Sequence, residues 1–233
     1  MIDLNALTIY KEKINSYVDD LMPLPSPKDV LILNDELIDN YTGNGITKNG
    51  NVKIDEKGIA TNFINKTDYV VTNLDVTDLK LPFEVQVKFK VSDKTALRNL
   101  NVNIISNKTY NYPLFELIIS KGKMMCTSYK TQSTNEYMLL FGDSFNFDAN
   151  QWYIIKMKHE QKGIYECTVY DEKYNELYNK TQNSNYEINY HSDKIILGND
   201  VDYVSGSGSA TLQIDLSETY FKNGDTIISA WNL

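Results

Sequence analysis

The run Phe83-Glu84-Val85-Gln86-Val87-Lys88-Phe89-Lys90-Val91 alternates between apolar and polar residues without a break. Side chains along a strand point to opposite faces in turn, so Phe83, Val85, Val87, Phe89 and Val91 all fall on one face. A helix would scatter the same residues around its circumference. A chain carrying this run must therefore build a sheet with one buried face, and other parts of the chain must cover that face.

Further strand candidates follow at regular spacing: Leu100 to Ile105, Phe115 to Ile119, Met124 to Lys130, Glu136 to Phe141, Trp152 to His159, Tyr165 to Tyr170, Lys194 to Leu197, Thr211 to Tyr220 and Thr226 to Trp231. Val30-Leu31-Ile32-Leu33 reads as a first strand. The stretch Asn40 to Gly58, with Thr42-Gly43-Asn44-Gly45 and Lys48-Asn49-Gly50-Asn51, reads as turns between short strands. Many short strands separated by turns predict a sandwich or barrel, and no alternating helical pattern supports an α/β fold. With 233 residues, 42% of them hydrophobic, the chain can fill the core of one such domain.

Before residue 30 the period is different. Leu4, Leu7, Lys11, Ile14, Val18 and Leu21 recur at spacings of three and four, which places them on one helical stripe, with Asp3 as N-cap. A helix this short is marginal alone, so its stripe must be buried against its own sandwich, copies of itself, or another protein. Pro23, Pro25 and Pro27 then form an extended spacer. The expected order is an interaction helix over 1–22, a Pro-rich linker over 23–29, and a mainly β, two-sheet antiparallel sandwich over 30–233.

Charge and motifs narrow the function. A net charge of −8 argues against nucleic-acid binding, which needs a basic stripe to replace counterions. No apolar run approaches the roughly 18 residues of a membrane span, so no membrane insertion is expected. The N-terminus, Met1-Ile2-Asp3-Leu4-Asn5, has no secretory leader pattern, which predicts synthesis in a cytoplasm. Cys126 and Cys167 lie among apolar and aromatic neighbours and read as small buried hydrophobes, with one bridge open if their strands are adjacent. His159 and His191 have no cysteine or acid at metal-ligand spacing, and neither a Gly-x-Ser-x-Gly elbow nor a phosphate loop is present.

Several segments, taken in order, resemble a concanavalin A-like or laminin-G jelly roll. Pro82 to Val91 resembles an early strand. Gln151-Trp152-Tyr153-Ile154-Ile155-Lys156-Met157 resembles the central strand, and Ile164 to Asp171 the next. Ile195-Ile196-Leu197-Gly198 resembles the Leu-Gly element, and Gly208 to Leu216 the closing strand. The version most similar to this chain occurs in bacteriophage virion proteins, which often carry a short helical segment like Leu7 to Ile14. The resemblance implies a non-enzymatic virion structural protein: a tail-fibre, baseplate, collar or head-decoration component. Its helix would engage other virion structural proteins or form a homo-oligomer. The alternative is a carbohydrate-binding adhesion module for a host surface glycan. Fold alone does not decide between them.

A sugar site needs exposed aromatics beside polar groups, and Tyr110, Tyr112, Tyr186, Tyr190 and Tyr203 fall in predicted loops. Calcium is the one cofactor considered: laminin-G-like domains often hold it at the sandwich rim, and Asn199, Asp200 and Asp202 offer hard oxygen ligands after a strand. The jelly roll also hosts glycosidases with a Glu-x-Asp-x-x-Glu strand, whose two glutamates stand about 5 Å apart for retention. Gln213-Ile214-Asp215-Leu216-Ser217-Glu218 has that spacing, but its first position is Gln, which cannot attack an anomeric carbon. No catalysis is expected, and Asp215 is expected to hydrogen-bond a neighbouring loop or strand end.

Overall fold

The computed structural model describes residues 47–64, 67–94, 101–107, 116–120, 122–129, 137–140, 145–161, 163–183, 194–198 and 212–230. The interaction helix, the Pro-rich linker and the strand expected at Val30 to Leu33 lie outside them. Fifteen strands occur among the described residues. They are β1 (Thr47–Asn49), β2 (Lys53–Ile54), β3 (Ile59–Thr61), β4 (Tyr69–Asp75), β5 (Phe83–Val91), β6 (Asn101–Asn107), β7 (Glu116–Ser120), β8 (Lys123–Tyr129), β9 (Tyr137–Leu140), β10 (Trp152–Gln161), β11 (Ile164–Asp171), β12 (Glu176–Asn183), β13 (Lys194–Gly198), β14 (Leu212–Asn223) and β15 (Thr226–Ala230).

These strands form two antiparallel sheets. One runs β1-β4-β13-β6-β7-β8-β9, and the other β12-β11-β10-β5-β14-β3-β2 with β15 paired to β14. The alternating strand β5 lies in the second sheet, flanked by β10 and β14. Its odd-numbered residues are all 1–2% exposed, as the period of two requires. Tyr153, Ile155 and Met157 of β10 and Leu212, Ile214 and Phe221 of β14 share their cluster. Val102 and Ile104 of β6, Leu117 and Ile119 of β7 and Met124 of β8 join it from the other sheet.

The two inner faces meet directly. Cys167 Sγ on β11 lies 3.5 Å from Met124 Sδ on β8. Cys167 is a free, buried thiol, so no bridge forms there, and burial pushes its pKa up to about 12. Residues 145–150 seat Phe145 and Phe147 edge-on against Tyr153, with ring centroids 5.9 Å and 4.9 Å away. Gly198 ends β13 at a φ of +98°, and a Cβ built on it would stand 2.3 Å from the Phe63 ring. Only glycine lets the backbone pass that ring, which gives the Leu-Gly element its physical reason.

The structure also contains strands that the periodicity does not mark. The polar strand β12 is an edge of its sheet, mostly exposed, so it has no apolar alternation to display. β4 is a mixed run, in which both Val70 and Thr72 are fully buried. β14 extends to Asn223, past the expected end, because a bulge lets it resume pairing with β5.

Candidate functional site

The even-numbered residues of β5 point away from the core, yet Glu84 is 4% exposed and Gln86 is 2% exposed. Buried polar groups outside the apolar core are the informative anomaly in such a sheet. Two features of the neighbouring strands cover Gln86, while Tyr220 and two lysines cover Glu84.

The first is the bulge in β14. Asp215 pairs with Lys88 and Tyr220 with Gln86, so residues 216–219 stand opposite Val87 alone. Asp215 shapes the bulge: its Oδ1 accepts from Ser217 N at 3.1 Å and Ser217 Oγ at 2.5 Å, and its carbonyl accepts from Thr219 Oγ1 at 2.8 Å. Asp215 thus hydrogen-bonds a bulge within its own strand, where a neighbouring loop or strand end was expected. The second cover is the β11–β12 hairpin. Asp171 accepts from Lys173 N, Asn175 N and Asn175 Nδ2, and Tyr174 adopts a left-handed φ of 62°. Those hydrogen bonds from Asn175 hold the Asp171 carboxyl below its usual range.

Tyr174 and the bulge meet over the sheet. Tyr174 Oη donates to Glu218 Oε2 at 2.5 Å. Beneath them, Gln86 Nε2 donates to the Glu218 carbonyl at 2.9 Å and to Tyr174 Oη at 3.4 Å. Lys88 Nζ lies 3.1 Å from Asp215 Oδ2 and 3.6 Å from Glu218 Oε1, so one ammonium serves both acids. Burial, then the adjoining Glu218, pushes the Tyr174 hydroxyl far above its usual range, which keeps it a donor.

A second node centres on Glu84. Its Oε1 accepts from Tyr220 Oη at 2.5 Å and lies 3.2 Å from Lys222 Nζ, while its Oε2 lies 3.6 Å from Lys158 Nζ. Lys158 also reaches Glu160 at 3.8 Å. The Tyr220 hydroxyl is likewise raised by burial and by Glu84. Beside this node a cleft of about 140 Å³ opens between Pro82, Glu84, Lys158, Glu160, Lys222, Gly224 and Asp225, with Phe83 also in its lining.

Aromatic faces border the charged rows. Lys90 Nζ and Lys88 Nζ lie 4.8 Å and 5.6 Å from the Trp152 ring centroid. Lys156 Nζ lies 5.6 Å from the Tyr170 ring and 5.9 Å from the Tyr174 ring. Cation–π attraction holds the ammoniums in place. Burial pulls the Lys156 pKa down, against the opposing pull of Glu84. The face therefore combines fixed donors, fixed acceptors and aromatic rings, the chemistry that orients hydroxylated ligands.

The residues singled out from sequence fare differently. Tyr110, Tyr112, Tyr186, Tyr190 and Tyr203 lie outside the described residues, as do Asn199, Asp200 and Asp202 and the helical stripe from Leu4 to Leu21. Among the described residues, no group of three or more His, Cys, Asp or Glu side chains is placed to hold a metal. The structure does bring Asp215 and Glu218 to one ammonium. Sequence reasoning missed Glu84, Gln86, Trp152, Tyr174 and Tyr220. The available signal was the even-numbered row of β5, where acid, amide and two lysines share one face.

No family model and no curated protein matches this chain. Solved structures do. The receptor binding domain of botulinum neurotoxin mosaic serotype C/D aligns with a TM-score of 0.54 at 14% identity, covering 80% of this chain and 46% of its own. The botulinum neurotoxin type G receptor binding domain aligns at 0.51 and 11% identity, covering 76% and 42%. The serotype D ligand binding domain, solved in complex with N-acetylneuraminic acid, aligns at 0.52 and 11% identity, covering 80% and 46%. This chain spans less than half the length of those domains, and the likeness shows a shared β-sandwich fold.

Proposed function

We propose that this chain is a non-enzymatic glycan-binding module with a lectin-like sandwich, which takes sugar on the outer face of its eight-stranded sheet. The observation that carries the reading is a pair of hydrogen-bonded nodes on this face: Gln86, Lys88, Tyr174, Asp215 and Glu218 beside the Trp152 ring, and Glu84 with Tyr220. A sugar needs donors and acceptors held at fixed angles together with an aromatic face, and its binding energy is lost if the groups must first be ordered. Here the ordering is built into the fold. Further support comes from a similar sandwich in receptor- and ligand-binding domains, one of them solved with N-acetylneuraminic acid.

The same geometry favours binding over hydrolysis. Retention needs a free carboxylate nucleophile facing a protonated acid. Gln213 occupies the nucleophile position, and Asp215 and Glu218 share the Lys88 ammonium. The virion reading would mount this module on a particle through residues 4–21, which lie outside the described residues.

A glycan panel followed by calorimetric titration of the full chain tests the proposal. Binding with a millimolar or lower Kd is expected, and Trp152→Ala should weaken it roughly tenfold, about 1.4 kcal/mol, for oligosaccharides long enough to reach that ring. Absence of binding across the panel at millimolar sugar refutes it.

A further inference from the structure

We infer that the cleft beside Glu84 takes a neutral, hydroxyl-rich sugar unit and rejects acidic sugars; this rests on the glycan-binding reading above. The cleft is bounded by three carboxylates, Glu84, Glu160 and Asp225, and two ammoniums, Lys158 and Lys222, so its lining has one negative charge in excess. Both ammoniums are already engaged by Glu84, at 3.2 Å and 3.6 Å. An incoming carboxylate would compete with Glu84 for them and meet Glu160 and Asp225 in the same lining. Like charges gathered in one lining repel, and the net charge of −8 on the whole chain adds to this at long range.

A neutral sugar meets no such penalty. Each of its hydroxyls both donates and accepts, and the cleft offers both partners side by side. Every ammonium carries three donors, and ion pairing with Glu84 and Glu160 leaves some unused. Asp225 makes no ion pair or side-chain hydrogen bond among the described residues, which leaves its oxygens as acceptors. Glu84 is 5% exposed at its side chain and anchored by Tyr220, so the central acceptor does not move when a ligand arrives. Space is available: a Cβ at Gly224 would meet nothing within 4 Å. At about 140 Å³ the cleft is small beside the roughly 300–1,000 Å³ of pockets that engulf a ligand, which suits the edge of one terminal sugar.

The test titrates the full chain with matched oligosaccharides ending in a neutral hexose or in N-acetylneuraminic acid, and maps amide shifts by NMR. The neutral ligand should bind at least tenfold more tightly, with shifts concentrated at residues 82–84, 158–160 and 222–225. Lys158→Ala should weaken it about tenfold. The rim variant Glu160→Gln/Asp225→Asn, which reverses the excess charge, should move the preference at least fivefold toward the acidic ligand. Tighter binding of the acidic ligand by the natural chain overturns the inference while leaving glycan binding intact. Neutral binding that ignores Lys158→Ala and shifts amides elsewhere overturns the assignment to this cleft. Failure of both ligands, and of the wider panel, refutes glycan binding itself.

Discussion

His159 gives the structure a measurable dependence on pH. It points inward from β10, 3% exposed, stacked on Tyr165 at a centroid distance of 4.2 Å and edge-on to Phe83 at 5.4 Å. Burial among these rings holds its pKa down from 6.5 to about 4, against a smaller opposing effect of the backbone hydrogen bond with Gln161. The unfolded chain takes up the proton as pH falls through 6.5, whereas the folded chain stays neutral until about 4. The stabilisation is therefore complete above 6.5, declines as pH falls, and is exhausted below about 4. At 1.36 kcal/mol per unit, the whole gap is worth about 3 kcal/mol, and about 2.5 kcal/mol of it is lost by pH ~4.5. His159→Phe keeps an aromatic ring between Tyr165 and Phe83 but removes the titrating group. Urea denaturation of both proteins near pH 7.5 and near pH 4.5 isolates the effect, because the carboxylates titrate in both and cancel in the difference. The natural chain should lose about 2.5 kcal/mol more than the variant between the two pH values. Parallel losses would show that His159 is not held neutral in the fold, and the reasoning from burial would fail.

Two further outcomes follow from packing. Gly198→Ala places a methyl group on the Phe63 ring at a φ of +98°, and it should cost about 2–4 kcal/mol by chemical denaturation; unchanged stability would mean the strand and ring are not so apposed. Cys167 is 1% exposed with its thiol held up at about 12, so alkylation of its peptide, followed by mass spectrometry, should proceed only as fast as the chain unfolds. Rapid labelling of that peptide under native conditions would contradict its place between the sheets.

The strands that alternate cleanly were readable because one of their faces meets the core and the other carries mainly polar residues. β5, β10 and β11 are of this kind, and so is the first half of β14. β12 was not readable, since an exposed edge imposes no pattern on its residues. The candidate site falls between these cases. The spacing of Asp215 and Glu218 is visible in the sequence, but the bulge that lifts Glu218 toward Tyr174 depends on where β14 regains its register with β5. Nothing local marks Glu84 as buried, because its cover comes from Tyr220 and from two lysines on strands β10 and β14.

Hydrophobic periodicity alone dictates that residues such as Phe83 to Val91 form ribbons with one apolar side, and that these ribbons close as two facing sheets. That information is local: each side chain's face follows from its parity along the strand. The site is not local. It requires Glu84 and Tyr220, separated by 136 positions, and Tyr174 and Glu218, separated by 44, to arrive within hydrogen-bonding distance. Strand order and bulge register set those encounters, and both are settled by how the sheets pack as a whole rather than by any short stretch of chain.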